Sequence, residues 1–184
     1  MSSPRATTRR AVFLDRDGTL IHDCRYPASG SEVRLLAGAG AALRGLSDDG
    51  WKLVVVSNQS GIGRGLVSES QARDVHGELC RQLAIAAVRL DGAYYCPHAP
   101  WERCTCRKPA PGLFNEAAEA LGISLRHSLV VGDRSSDITA GRRAGCRAGI
   151  LITEGAPACS GFAHRARDWR DVPALVRLVA RRPM

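Results

Sequence analysis

Five short apolar runs punctuate the chain: Ala11 to Leu14, Trp51 to Val56, Asp91 to Tyr95, Ser128 to Val131 and Ala148 to Ile152. Trp51-Lys52-Leu53-Val54-Val55-Val56 is nearly continuous and β-branched, the pattern of a strand buried on both faces of a parallel sheet. Longer segments between the runs have helical character. Leu35 to Leu46 is rich in alanine and leucine and is stopped by Asp48-Asp49-Gly50. Ser68 opens a helix to about Val88, with Ser68 and Glu69 suited to its first turn. Leu113 to Leu121 is closed by Gly122, Ile138 to Ala144 by Gly145, and Val172 to Val179 forms one last helix. Alternating strand and helix predicts an α/β fold, a Rossmann-like three-layer sandwich with a central parallel sheet.

Three of the apolar runs end in turns loaded with polar chemistry. They are Asp15-Arg16-Asp17-Gly18-Thr19, Ser57-Asn58-Gln59-Ser60-Gly61 and Gly132-Asp133-Arg134-Ser135-Ser136-Asp137. In open α/β sheets ligands bind outside the carboxyl ends of the strands, so three such tips point to one site. Asp15 and Asp17 sit one residue apart, and two carboxylates that close need a cation or a shared proton. A Mg²⁺ ion bound through oxygen would meet that need and leave one carboxylate usable as a nucleophile. Taken singly, Ser57 reads as a turn residue, Lys108 as a solvated charge and Asp133 as a helix N-cap. The loop from Ile21 to Ser31 is long enough to cover a site at the first strand tip.

Composition narrows the class of protein. At 184 residues, with 45% hydrophobic positions, the chain is expected to form a single globular domain over residues 1–184. No apolar run approaches the ~20 residues that cross a membrane. Residues 1–10 are basic and Ser/Thr-rich without a following apolar stretch, and are expected to be a frayed leader rather than a secretory signal. The net charge of +8 raises nucleic acid as a partner. The arginines are scattered, however, and only 5% of residues are aromatic, so no nucleic-acid partner is expected. The charge reads mostly as a solvated arginine-rich surface, with attraction for anionic small substrates as a side effect.

Seven cysteines without an export signal suggest reduced thiols or metal rather than disulfides. Cys24, Cys80, Cys146 and Cys159 are scattered, with burial as small hydrophobes the default expectation. Cys96, His98, Cys104 and Cys106 fall within eleven residues and form a candidate tetrahedral Cys₃His zinc set. Their Cys-x-His…Cys-x-Cys spacing departs from the common Cys-x-x-Cys knuckle, which leaves an adventitious cluster of thiols open on spacing alone.

Asp15-Arg16-Asp17-Gly18-Thr19, then Ser57, then Lys108, then Gly132-Asp133 with Asp137 resemble, in order, the haloacid dehalogenase-like superfamily of phosphatases. The resemblance spans nearly the whole chain. It implies that Asp15 is the nucleophile, Asp17 the general acid and then base, and that Ser57 and Lys108 hold phosphoryl oxygens. It further implies a catalytic Mg²⁺ on Asp15, the Asp17 backbone carbonyl and Asp133, with Asp137 orienting Lys108 or the metal's waters. Tyr94 to His98 and Cys104 to Gly112, with Ser57 to Gly65, resemble the branch holding D,D-heptose 1,7-bisphosphate phosphatases and bacterial histidinol-phosphate phosphatases. That branch implies structural zinc on Cys96, His98, Cys104 and Cys106, and substrate contacts from Arg107, Asn58, Gln59 and Arg134. No insertion large enough for a cap domain is apparent, so the site is expected to be open, walled by the zinc loop and the Ile21 to Ser31 loop.

The resemblance therefore implies a Mg²⁺-dependent phosphatase acting on a small phosphorylated sugar, as a cytoplasmic monomer without membrane attachment. The expected substrate is D-glycero-D-manno-heptose 1,7-bisphosphate, losing its 7-phosphate; histidinol phosphate is the alternative. A nucleic-acid 3′-phosphatase or binding module is the reading from another class, motivated by the charge.

Overall fold

Each apolar run of the computed structural model alternates its side chains between two cores, which dictates a sheet sandwiched by helices. The structure describes residues 9–153 and 161–181. Six strands, β1 (Ala11–Leu14), β2 (Lys52–Asn58), β3 (Gly92–Cys96), β4 (Leu129–Gly132), β5 (Ala148–Ile152) and β6 (Ala163–Ala166), form one sheet in the order β3-β2-β1-β4-β5-β6. Every neighbouring pair is parallel. Val12, Leu14, Leu53, Val55 and Val131 point to one face, onto α1 (Ala39–Asp48), α3 (Glu69–Ile85) and α6 (Val172–Ala180). Phe13, Val54, Val56 and Val130 point to the other, onto α4 (Gly112–Leu121) and α5 (Ser135–Arg143). The three-layer α/β expectation holds.

Differences from the sequence reading lie at element ends and on one edge. The sixth strand, Ala163-His164-Arg165-Ala166, has no apolar run because it pairs only with β5 at the sheet edge. The first helix begins at Ala39 rather than Leu35, because Gly38 turns the backbone to a φ of 82° and Leu35 pairs across to Ile21. A four-residue turn of helix, α2 (Ser60–Gly63), follows β2. Arg9 and Arg10, assigned to the leader from sequence, belong to the fold. Arg10 stacks over Trp51 at 4.2 Å and its carbonyl accepts from the Lys52 amide at 2.9 Å. The rest of the leader, and Cys159, lie outside the described residues.

The strand order decides where chemistry can occur. From β1 the chain winds outward through β2 and β3, then returns to β4 on the other side of β1 and winds outward again. The carboxyl ends of β1, β2 and β4 therefore open on a topological switch point, where the flanking connections diverge and leave a crevice.

Candidate active site

Asp15 is the first residue beyond β1, and its amide still donates to Val131 O of β4 at 3.0 Å. The chain then turns sharply: Leu20 N and Ile21 N donate to Arg16 O at 2.8 and 3.0 Å, and Gly18 N donates to Ile21 O at 2.8 Å. Gly18 sits at a φ of 79°, and a Cβ there would lie 2.5 Å from Asp133 Oδ2. Both the backbone angle and the neighbouring carboxylate thus require glycine. Thr19 is fully buried and donates to Asp133 Oδ1 at 3.0 Å, tying the β1 tip to the β4 tip. Trp169, just before α6, anchors the same turn by donating to Thr19 O at 2.6 Å.

Lys108 is buried, and its ammonium lies 2.7 Å from Asp15 Oδ1, 2.6 Å from Asp137 Oδ1 and 2.8 Å from Val56 O. Three donors meet three acceptors, which is the full capacity of a lysine. Burial pushes the Lys108 ammonium down, but Asp15 and Asp137 outweigh it and hold the group above its ordinary value. Burial pushes Asp137 up to about 6, with Lys108 pulling the other way and Asp15 adding to the rise. Asp133 is raised too, by burial and then by Asp15. Asn58 clamps the Lys108 backbone: its Nδ2 donates to Lys108 O and its Oδ1 accepts from Lys108 N, both at 3.0 Å. Its amide is thus committed to positioning Lys108, a use the sugar-hydroxyl expectation did not foresee.

Asp17 takes a different set of partners from Asp15. Its oxygens take Nε and Nη2 of Arg16 at 3.1 Å, and Gln59 Nε2 at 2.7 Å. Gln59 Nε2 also lies 3.1 Å from Ser57 Oγ, so Gln59 likewise serves its neighbours within the site. The N-cap of α5 is Arg134 rather than Asp133, and Asp137 in the first turn accepts from the Arg134 amide at 3.0 Å.

Two groups of side chains could hold metal. Oxygens of Asp15, Asp133 and Asp137 lie within 4.8 Å of one another. Asp137 gives one oxygen to Lys108 and the other to Arg134 N, whereas Asp15 gives only Oδ1 to Lys108, so Asp15 and Asp133 are the carboxylates with oxygen left to offer an ion. Burial, and after it the Asp15 carboxylate, pushes Asp133 up, and a hard divalent cation with oxygen ligands fits two acidic groups so close together. The second group is Cys96, His98, Cys104 and Cys106. Cys96 Sγ lies 3.6 Å from Cys104 Sγ and 3.5 Å from His98 Nδ1, and Cys106 Sγ lies 3.3 Å from His98 Nδ1. Bonds of 2.0–2.3 Å to a tetrahedral zinc give edges of about 3.6–3.8 Å, so the donor set fits that ion and the sulfurs are too far apart for a disulfide. Cys96 ends β3 in the buried core, and Cys106 stands two residues before Lys108. Of the remaining cysteines, Cys146 is buried as expected, Cys80 is half-buried, and Cys24 is exposed, against expectation.

A cleft of about 650 Å³ opens over Asp15, Asp17, Ser57 and Lys108. Arg25, Arg64, Arg107 and Arg134 line it, with Asp23 and Tyr26. Arg134 pairs with Asp23 at 2.9 Å and with Asp133 at 3.7 Å, so it bridges the Ile21 to Ser31 loop and the β4 tip. The loop wall expected from sequence is supplied by Asp23 to Pro27. Arg64, Arg25 and Tyr26 were missed in the sequence. Arg64 lies over Trp101 at 5.0 Å and Tyr26 at 6.0 Å, an aromatic support drawn from two separate loops that spacing along the chain does not reveal.

The doubly wound sheet with an Asp-x-Asp turn, a buried lysine and an acidic pair at its switch point defines a haloacid dehalogenase-like hydrolase, and the chain belongs to that family. The HAD-hydrolase-like family model matches residues 105–173. Over 80% of its length the chain is 41% identical to a D-glycero-beta-D-manno-heptose-1,7-bisphosphate 7-phosphatase of Haemophilus ducreyi, covering 85% of that protein. It is 39% identical to the enzyme of that name from Escherichia coli K12, over 91% of this chain and 93% of the relative. Among solved structures, the D,D-heptose 1,7-bisphosphate phosphatase of B. bronchiseptica, complexed with magnesium and phosphate, superposes with a TM-score of 0.82 at 29% identity. That match covers 92% of this chain and 98% of the other. No helix among the described residues is long and apolar enough to cross a membrane.

Proposed function

We propose that the chain removes the 7-phosphate of D-glycero-D-manno-heptose 1,7-bisphosphate by way of a phosphoaspartyl intermediate on Asp15. The observation that carries the reading is the buried Asp15–Lys108–Asp137 array at the floor of an arginine-rimmed cleft. It stands in a chain 39–41% identical to phosphatases named for that substrate.

Phosphate monoesters resist hydrolysis because a nucleophile must approach spread negative charge, so catalysis consists mainly of positioning and charge neutralisation. In this reading Asp15 attacks phosphorus as the bond to the C7 oxygen breaks. Asp17 gives its proton to the departing alkoxide, then takes one from the water that attacks the phosphoaspartate. Inorganic phosphate leaves and Asp15 is restored. Ser57 holds a phosphoryl oxygen and Lys108 sets its positive charge beside the phosphoryl group, while Asp137 and Asn58 fix where Lys108 points. Mg²⁺ held by Asp15, Asp133 and the Asp17 carbonyl would supply the positive charge that offsets repulsion between carboxylate and phosphate. Cys96, His98, Cys104 and Cys106 would hold zinc, ordering the loop that carries Arg107 and Lys108.

Arg25, Arg64, Arg107 and Arg134 support a substrate whose far end is anionic, as the 1-phosphate is, over histidinol phosphate with its cationic end. On this reading the enzyme is a single-domain monomer that works in the cytoplasm on a nucleotide-sugar precursor. Phosphate release under steady-state conditions tests the assignment. A kcat/KM higher for the heptose bisphosphate than for histidinol phosphate is expected, and the reverse order would overturn it.

A further inference from the structure

We infer that Arg16 is a positioning residue that sets the orientation of Asp17 through a closed ring of hydrogen bonds with Gln59. Arg16 stands between the two aspartates, yet it turns into the protein and is only 1% exposed. Its Nε and Nη2 each lie 3.1 Å from one oxygen of Asp17, and Nη2 also donates to Gln59 Oε1 at 2.7 Å. Gln59 Nε2 returns to Asp17 Oδ2 at 2.7 Å and closes the ring. The Tyr95 ring lies 5.7 Å from the guanidinium carbon, and the Tyr95 hydroxyl is held by His76 Nδ1 at 2.7 Å. The platform under the fork is therefore itself fixed.

A structural role alone explains this poorly. Burying a guanidinium is costly, and Arg16 Nη1 is buried with no hydrogen-bond partner among the described residues. Leucine or methionine would fill the same space without stranding a donor. What only the planar fork supplies is two parallel bonds to one carboxylate, which fix both the place and the plane of Asp17. A lysine, as a point charge on a flexible stem, fixes neither. The inference rests on the reading that Asp17 moves the proton. A carboxylate that serves the leaving oxygen and then the water must be held within a narrow geometry to serve either, and small misplacements of a reacting group cost about 10²-fold in rate.

The test is a double-mutant cycle on the phosphomonoester that the wild-type enzyme hydrolyses fastest, with kcat and KM measured separately. Arg16→Gln is expected to lower kcat about 10²-fold with KM little changed. Asp17→Asn is expected to lower kcat by about 10²–10⁴-fold. If Arg16 acts through Asp17, the double variant is no slower than Asp17→Asn alone, and Arg16→Lys does not rescue. Losses that multiply in the double variant, or rescue by lysine, overturn the Arg16 inference and leave the acid–base reading intact. Wild-type kcat in Asp17→Asn overturns both. Should Arg16→Gln fail to fold by circular dichroism, Gln59→Met at a half-buried position opens the same ring. Its loss must likewise vanish in the Asp17→Asn background, and persistence there counts against the inference.

Discussion

Replacing Lys108 with methionine is the sharpest probe of how the site is held together. Methionine matches the lysine stem in volume but leaves Asp15 and Asp137, at 9% and 2% side-chain exposure, facing each other without the ammonium that lies 2.7 and 2.6 Å from them. Removing one partner of a buried charge pair costs about 3–5 kcal/mol. In a chain of 184 residues that lowers Tm by about 6–20 °C. The loss should depend on pH. In the wild type, burial already pushes Asp137 up to about 6. Losing Lys108, which pulls it down, lifts it further.

A carboxyl whose folded-state pKa is raised takes up a proton on folding. It destabilises the fold progressively as pH climbs from the unfolded value to the folded one. Above about pH 6 the wild-type contribution has levelled off while that of the variant keeps growing. The stability gap should therefore widen between pH 6 and 8 by up to about 1.4 kcal/mol per unit. Urea denaturation in Mg²⁺-free buffer across that range measures it. In the same variant kcat should fall about 10²–10³-fold, the cost of one preorganised charge beside the developing negative charge. A gap that stays flat from pH 6 to 8, or a variant as stable as the wild type, would refute the balance of charges described here.

Three further outcomes follow from the same geometry. Cys104→Ser should reduce bound zinc from about one per chain toward none by metal analysis, and should lower both Tm and kcat/KM, since Lys108 follows the last ligand by two residues. Gly18→Ala puts a Cβ 2.5 Å from Asp133 Oδ2 at a φ of 79°, so the Mg²⁺ concentration for half-maximal activity should rise about tenfold or more. Trp169→Ala, which empties a site of 1% exposure and strips Thr19 O of its donor, should cost about 3–5 kcal/mol in chemical denaturation.

How much was legible in the sequence varies with the range of the interaction. Asp15, Ser57 and Asp133 could be read as strand-tip chemistry because an apolar run and the polar turn after it are adjacent in the chain. The Cys₃His set was legible for the same reason, with four donors inside eleven residues. Arg64 was not, because its supports Tyr26 and Trp101 stand nearly 40 residues away on either side. Nor was β6, whose Ala-His-Arg-Ala lacks the apolar signature of a strand covered on both faces. Cys24 escaped because exposure on a loop depends on what packs over the loop, not on the residue.

The amino-acid sequence by itself determined the layered α/β class, the two candidate metal sets and the order in which the chemical groups arrive. Those depend on local pattern: hydrophobic period, turn residues and donor spacing. The tertiary structure alone decided that β1 lies between β2 and β4, which brings Lys108, 93 residues on, to 2.7 Å from Asp15. It also decided that Asn58 clamps the backbone of Lys108 and that Arg16 turns inward to Asp17. The physical reason is that a buried charge takes its partner from whatever the sheet order places beside it, and strand order comes from how two hydrophobic faces close over the whole chain.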